Sequence, residues 1–214
     1  MKSSPDLCLA GLAAWLETDW SEVQLHQFAT YANWLTSEGV AMGGIGPQEA
    51  ERVWTRHVCD SLVFGQDLAD RTSLLDVGTG VGLPGLPLAI AFPGLEVTLV
   101  ERSGRRTDAL ERLGRILELE FAVRQEDVHR VTGTYERIVF RASLPLGPAI
   151  GQAVRLMAPD GADAWFGLGR GPRPVALERW RADPPDPCGL AIEEVEVPAG
   201  ILDSAVWLLR MTRP

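Results

Sequence analysis

The amino-acid sequence predicts an α/β protein with a doubly wound, mostly parallel sheet and an N-terminal helical cap. Three observations carry this. From residue 73 onward, short β-type apolar runs alternate with helical stretches. A turn with glycines at 78, 80, 82 and 85 follows the first run, where a strand hands over to a helix. Before residue 70 the apolar spacing is helical instead, over 7–38 and 47–69.

Each element has its own signal. LCLAGLAAWL at 7–16 places Leu9, Leu12, Ala13 and Leu16 on one face of a helix that packs on the core. It follows a single Lys2 and is too short to span a bilayer, so it reads as a packing helix rather than a signal peptide. GVAMGGIGP at 39–47 is a glycine-rich break inside the cap. We expect residues 1–70 to form the cap and 71–214 the core of one compact unit. LLDV (74–77), EVTLV (96–100), FAV (121–123) and RIVF (137–140) are the first strands. Pro87 is expected to start the helix after the glycine turn, Pro93-Gly94 to end it, and Ser103 to cap the next helix, about 104–118. ADAWFGL, AIEEVEV and AVWLLR supply the remaining strands, the last two close enough to include an antiparallel pair.

The 214 residues suffice for one well-buried domain with an added N-terminal segment, and 46% hydrophobic with 23% charged residues is the ordinary globular range. A formal net charge of −9 weighs against nonspecific coating of nucleic acid, which needs clustered cations to displace counterions. Two local basic groups stand against that total: Arg102, Arg105 and Arg106, and then Arg170, Arg173, Arg179 and Arg181. Cys8, Cys59 and Cys188 are odd in number and lack CxxC spacing, so they read as reduced cytosolic thiols. His26, His57 and His129 show no ligand spacing, and no metal is expected. The chain reads as cytoplasmic and monomeric, with no membrane association.

The most informative stretch is LLDVGTGVGLPGLP at 74–87. Its glycines let a ligand approach the backbone, and Gly80, Gly82 and Gly85 fit the GxGxxG of a dinucleotide fold, with Glu101 at the tip of the next strand. Two residues argue against a dinucleotide. Asp76 would repel a pyrophosphate, whereas it could hold the ammonium of an amino-acid-bearing cofactor; Pro84 removes a phosphate-binding N–H. S-adenosylmethionine, with its sulfonium, ammonium and carboxylate and no phosphate, suits such a loop better.

In open sheets of this kind the ligand lies beyond the carboxyl ends of the strands. That rule selects Asp76 to Gly85 after the first strand, Glu101 after the second, Arg124 to Asp127 after the third and Arg141 after the fourth. Glu101 can accept from both ribose hydroxyls, Glu126 or Asp127 from the adenine amino group, and Arg141 presents a fixed fork of donors.

These residues resemble the small-subunit ribosomal RNA methyltransferase G family, also called glucose-inhibited division protein B. The likeness runs over roughly residues 20 to 210 and rests on RHVCDS at 56–61, DVGTGVGLPGLPLA at 76–89, TLVE at 98–101, GRR at 104–106 and FRA at 140–142. It implies a Rossmann-like class I methyltransferase fold and S-adenosylmethionine-dependent methylation of the position-seven nitrogen of a guanine in 16S ribosomal RNA. Carried onto this chain, it implies cofactor contacts at Gly78, Leu83, Gln125, Glu126 and Arg141, with Arg105 near the RNA. Asp76, Gly80, Gly82 and Glu101 complete the expected cofactor set, and Arg106, Arg124 and Arg170 the expected substrate set. Where the family carries Lys-Gly after the fifth strand, this chain has Gly167-Leu168-Gly169-Arg170-Gly171, with Arg170 in the place of the lysine.

The position-seven nitrogen of guanine carries no proton, so its methylation needs no general base, and Arg141 is the residue expected to position the reactants. Two other readings stay open: a methyltransferase acting on another RNA or a small molecule, and a module that binds S-adenosylmethionine without catalysis.

Overall fold

The computed structural model describes residues 5–172, 174–175, 178, 189–197 and 200–213. The apolar runs form β1 (Ser73–Val77), β2 (Glu96–Glu101), β3 (Ala122–Gln125) and β4 (Arg137–Arg141); β5 (Asp163–Arg170), β6 (Ala191–Val197) and β7 (Val206–Thr212) follow. They build one seven-stranded sheet in the order β3-β2-β1-β4-β5-β7-β6. The first five strands are parallel, and β7 lies antiparallel between β5 and β6. Chain order reverses between β1 and β4, and a crevice opens at such a point beyond the strand ends.

Side-chain alternation divides the core. Leu74, Leu99, Val139 and Trp165 face α1 (Pro5–Trp15), α2 (Glu22–Trp34), α3 (Cys59–Leu62), α4 (Gly85–Ala91) and α5 (Gly104–Leu117). Leu75, Val77, Phe140 and Phe166 face α6 (Leu146–Leu156) on the other side. The same period of two puts Arg137 and Arg141, at opposite ends of β4, on the cap side with Val139. There they bond to the chain between residues 56 and 67.

The cap departs from two long helices. Residues 7–38 form α1 and α2, separated by Glu17 at φ 52°. Ser21 restarts the helix with a capping box: its hydroxyl accepts from the Gln24 N–H at 3.2 Å, and the Gln24 side chain accepts from the Ser21 N–H at 2.9 Å. α2 runs on into a π-helical turn, Leu35–Gly39. Residues 47–69 form only short pieces: 3-10 turns at Pro47–Arg52 and Val63–Gly65, a π turn at Trp54–Val58, and α3. The carbonyls of residues 56, 57, 64, 66 and 67 accept from the two β4 arginines, so tertiary bonds take acceptors that a continuous helix would use.

Three further expectations are corrected. α4 begins at Gly85 after Pro84, so Pro87 lies inside the first turn, where a missing N–H costs no helical bond. Ser103 occupies the position before α5, yet its side chain makes no capping bond; its backbone N–H donates to Glu101 Oε1 at 2.9 Å. Cys8 and Cys59, both buried, are joined by a disulfide rather than reduced. Their separation of 51 residues hid a proximity that arises only when α1 packs on α3. Cys188, Arg173, Arg179 and Arg181 lie outside the described residues. No helix among the described residues is long and apolar enough to cross a membrane.

Candidate active site

Alternation along β1 turns Asp76 toward the start of α4. Its Oδ2 accepts from Thr79 Oγ1 at 2.6 Å and from the Gly85 N–H at 2.7 Å, and the side chain is fully buried. Burial pushes the carboxyl pKa up to about 6, against the opposing pull of those two hydrogen bonds and of Arg141. Asp76 therefore closes the glycine loop from beneath. It does not line the cavity where it was expected to meet a cofactor.

The loop's own donors are occupied in the same way. The N–H groups of Gly82 and Leu83 reach Thr79 O at 2.9 Å, that of Thr79 reaches Val100 O at 3.0 Å, and that of Gly80 reaches Glu101 Oε2 at 3.1 Å. A pyrophosphate would find none of these donors free, so the loop suits a ligand without phosphate.

Beyond the tips of β1, β2 and β4 lies a cavity of about 350 Å³. Gly78, Glu101, Arg106, Glu126, Asp127 and Ser143 stand on its wall. Glu101, 8% exposed, is fixed by the N–H groups of Gly80 and Ser103 and by Arg106 Nη1 at 3.6 Å, which leaves it an oriented acceptor. The Asp127 carboxyl lies below its ordinary range, first because it accepts from the His129 N–H. Ser143 Oγ is buried and has no hydrogen-bond partner. Gly78 sits at φ 69°, and a Cβ there would lie 2.6 Å from Ser143 Cβ, inside the turn that shapes the wall. The volume, the oriented Glu101 carboxylate and a loop whose N–H donors are already taken fit S-adenosylmethionine.

Of the expected cofactor contacts, the structure places Gly78, Glu101 and Glu126 on this wall and Asp76, Gly80, Gly82, Leu83, Gln125 and Arg141 off it. The Gln125 amide packs instead against Gly104, at the start of α5. Arg141 lines a second cavity, of about 600 Å³, between the cap and the tips of β4 and β5. Its guanidinium donates to Ser61 Oγ at 2.8 Å, Arg56 O at 2.8 Å and His57 O at 3.3 Å, so it holds the 56–61 turn.

The two cavities share Ala142, a non-glycine residue at φ 54°. Left-handed backbone at such a residue costs roughly 1 kcal/mol or more and is concentrated at functional sites. Arg56, His57, Asp60, Arg170 and Trp207 also line the larger cavity. Burial, then the charges of Arg141, Arg56, Arg170 and Arg52, lower the His57 pKa to about 4, so its ring is neutral near pH 7. Arg170 was expected in the substrate set, whereas Arg56, His57, Asp60 and Trp207 were missed as site members. Arg56, His57 and Asp60 lie in RHVCDS and Ala142 in FRA, signals that were in hand; Trp207 had none.

The expected substrate arginines separate. Arg170 donates to Asp60 Oδ2 at 2.8 Å, Thr55 O at 2.9 Å and Ser204 Oγ at 3.1 Å, and also bonds Asp203, so it braces the larger cavity. Arg105 is exposed and reaches Ala41 O at 3.3 Å. Arg106 lies beside it, and both border a shallow depression with Arg102 and Met42. Arg124 is tied to Glu126, Thr132 O and Tyr135 Oη and itself lines neither cavity.

A sheet of this order with a cavity at its topological switch defines a class I methyltransferase fold. Solved structures sharing it include the ribosomal protein L11 methylase from Lactobacillus delbrueckii subsp. bulgaricus, with a TM-score of 0.57 at 16% identity, covering 74% of this chain and 78% of that one. Another is the precorrin-6y C5,15-methyltransferase from Geobacter metallireducens GS-15, with a TM-score of 0.52 at 14% identity, covering 79% and 90%. The family described as rRNA small subunit methyltransferase G matches residues 24–163, and the chain belongs to it. Relatives named ribosomal RNA small subunit methyltransferase G include one from Mycobacterium marinum (strain ATCC BAA-535 / M), 46% identical over 93 residues. That match covers 44% of this chain and 40% of the relative. Those from Corynebacterium jeikeium (strain K411) and Rhodococcus jostii (strain RHA1) are each 37% identical, over 62% and 63% of this chain and 62% and 64% of theirs. The matches thus span less than two thirds of these relatives' own length.

Proposed function

We propose that this protein transfers the methyl group of S-adenosylmethionine to the position-seven nitrogen of a guanine in 16S ribosomal RNA, acting in the cytoplasm as a monomer on the small ribosomal subunit. The observation that carries the reading is the pair of cavities meeting at Ala142, one at the switch point of the sheet and one between the cap and the strand tips, lined by Arg56, Arg141 and Arg170. Family membership supports the reaction class and the RNA.

The chemistry asks for little. When bound, the cofactor supplies an electrophilic methyl on sulfur, and the acceptor nitrogen has a free lone pair. Gly78, Glu101, Glu126 and Asp127 bind and orient the donor in the smaller cavity, while the larger one holds the base. Fixing two reactants in line supplies roughly 7–11 kcal/mol of the barrier. No residue needs to take a proton. Arg56 lines the larger cavity, and its side chain has no hydrogen bond or ion pair among the described residues, so it is available to a phosphate of the RNA. Arg102, Arg105 and Arg106 extend a cationic border from the smaller cavity. In this reading Arg141 is a positioning residue that keeps the 56–61 turn against β4, residues 1–70 are the cap and 71–214 the core.

The test is transfer of radiolabelled methyl to small ribosomal subunits from cells lacking the native activity. Label in 16S RNA, mapped to a position-seven guanine, is the expected result. Tight binding of S-adenosylhomocysteine with no label in any RNA removes this reading.

A further inference from the structure

We propose that Asp60 reads the base to be methylated, its free carboxylate oxygen accepting from the ring N1–H and 2-amino group of a guanine in the larger cavity. This rests on the methyltransferase reading and adds a specificity residue to it. Asp60 is 7% exposed and stands on the wall of that cavity. Its two oxygens differ. Oδ2 is held by Arg170 Nη1 at 2.8 Å, whereas Oδ1 is buried and has no hydrogen-bond partner. Leaving a carboxylate oxygen desolvated and unpaired is costly, and such groups in native proteins call for an explanation. A ligand donor supplies one. On the same wall His57 Nε2 is also buried without a hydrogen bond, 3.7 Å from Glu49 Oε2, so the wall carries two unsatisfied polar atoms from residues three positions apart.

The donor pattern selects the base. A carboxylate only accepts, and guanine alone among the four bases presents adjacent N1–H and N2–H donors on its pairing edge. Adenine would set the N1 lone pair against the Asp60 oxygen, a repulsive juxtaposition that rejects it. Engaging the pairing edge from the cap also turns the opposite edge of the purine, which carries the position-seven nitrogen, away from Asp60. Arg170 fixes the carboxylate rotamer through four partners, so the acceptor is set before the base arrives.

The test uses the whole protein saturated with S-adenosylhomocysteine, titrated by calorimetry with GMP, IMP and AMP. IMP keeps N1–H and lacks only the 2-amino group. Wild type is expected to prefer GMP over IMP by about tenfold, the worth of one charge-assisted hydrogen bond, and to bind AMP weakest. In Asp60→Asn the GMP-to-IMP ratio should fall toward one, with melting temperature and S-adenosylhomocysteine affinity as controls on folding. Equal binding of GMP and IMP by wild type, or no uptake of GMP, overturns the proposal without any variant. An unchanged ratio in a folded Asp60→Asn also overturns it. Label in 16S RNA without a guanine preference removes the role of Asp60 and leaves the proposed function intact. A guanine preference without label in any RNA keeps Asp60 as the base reader and removes the ribosomal reaction.

Discussion

The Tyr31 hydroxyl donates to the carbonyl of Val81 across 3.0 Å, joining the second helix of the cap to the glycine loop inside the core. Both residues are buried, and burial holds the phenol pKa well above its ordinary value, so Tyr31 is a neutral donor at every working pH. Tyr31→Phe leaves a buried carbonyl unpaired. We expect a loss of about 1–2 kcal/mol in denaturant unfolding and several-fold weaker uptake of S-adenosylhomocysteine. Unchanged affinity would mean that the loop keeps its shape without the cap.

Two buried groups titrate with opposite sign. The Asp76 pKa rises to about 6 on folding through burial, so between about pH 4 and 6 the folded state holds a proton that the unfolded state has lost. Stability from this group falls as pH rises through that window, by up to about 3 kcal/mol. His57 falls to about 4, first through burial, so the unfolded state takes up the extra proton below about 6.5 and stability rises with pH over nearly the same range. The stability of Asp76→Asn relative to wild type should therefore climb between pH 4 and 6, and that of His57→Gln should decline. Urea melts across this range check both slopes; parallel curves for wild type and either variant would contradict the assignment.

Arg170→Ala strips the buried Asp60 carboxylate of its partner at side-chain exposures of 11% and 9%. A loss of about 3 kcal/mol is expected, because an uncompensated buried charge costs more than the pair contributed. Adding Asp60→Asn should recover part of it. Additive losses in that double-mutant cycle would show that the pair is not coupled.

Two glycines of the loop separate packing from backbone strain. At Gly78, φ 69°, an added Cβ strikes Ser143 Cβ at 2.6 Å; at Gly80, φ 61°, it meets nothing within 4 Å. Gly80→Ala should cost only the left-handed backbone, roughly 1 kcal/mol, and still bind S-adenosylhomocysteine. Gly78→Ala should lose binding by tenfold or more. Calorimetry on the two proteins distinguishes them, and equal affinities would remove Ser143 from the wall.

The parallel sheet was legible because alternating apolar runs of β1 to β5 leave few other solutions, and the switch-point rule then placed Gly78, Glu101 and Glu126 at the cavity. What stayed hidden depends on contacts far apart in sequence. Asp76 reads as a ligand with no sign that Thr79 and Gly85 take its Oδ2 once the loop has folded, while Oδ1 stays buried without a hydrogen-bond partner. Arg141 reads as a cofactor contact because nothing local reveals that its partners are two carbonyls and a hydroxyl some 80 positions earlier. The split between α1 and α2, by contrast, was readable: Ser21 and Gln24 have capping-box spacing.

Arg137 and Arg141 grip the same stretch of cap from the two ends of one strand. Arg137, fully buried and paired with Asp163, donates to the carbonyls of Phe64, Gln66 and Asp67, while Arg141 secures residues 56 to 61 at the far rim. The panel is thus braced to the strand along both borders. The roof over the larger cavity is therefore a standing wall, reactants and products must pass through its open flank with that wall in place, and a core trimmed of its first 70 residues would expose two guanidinium groups that evolved to face carbonyls.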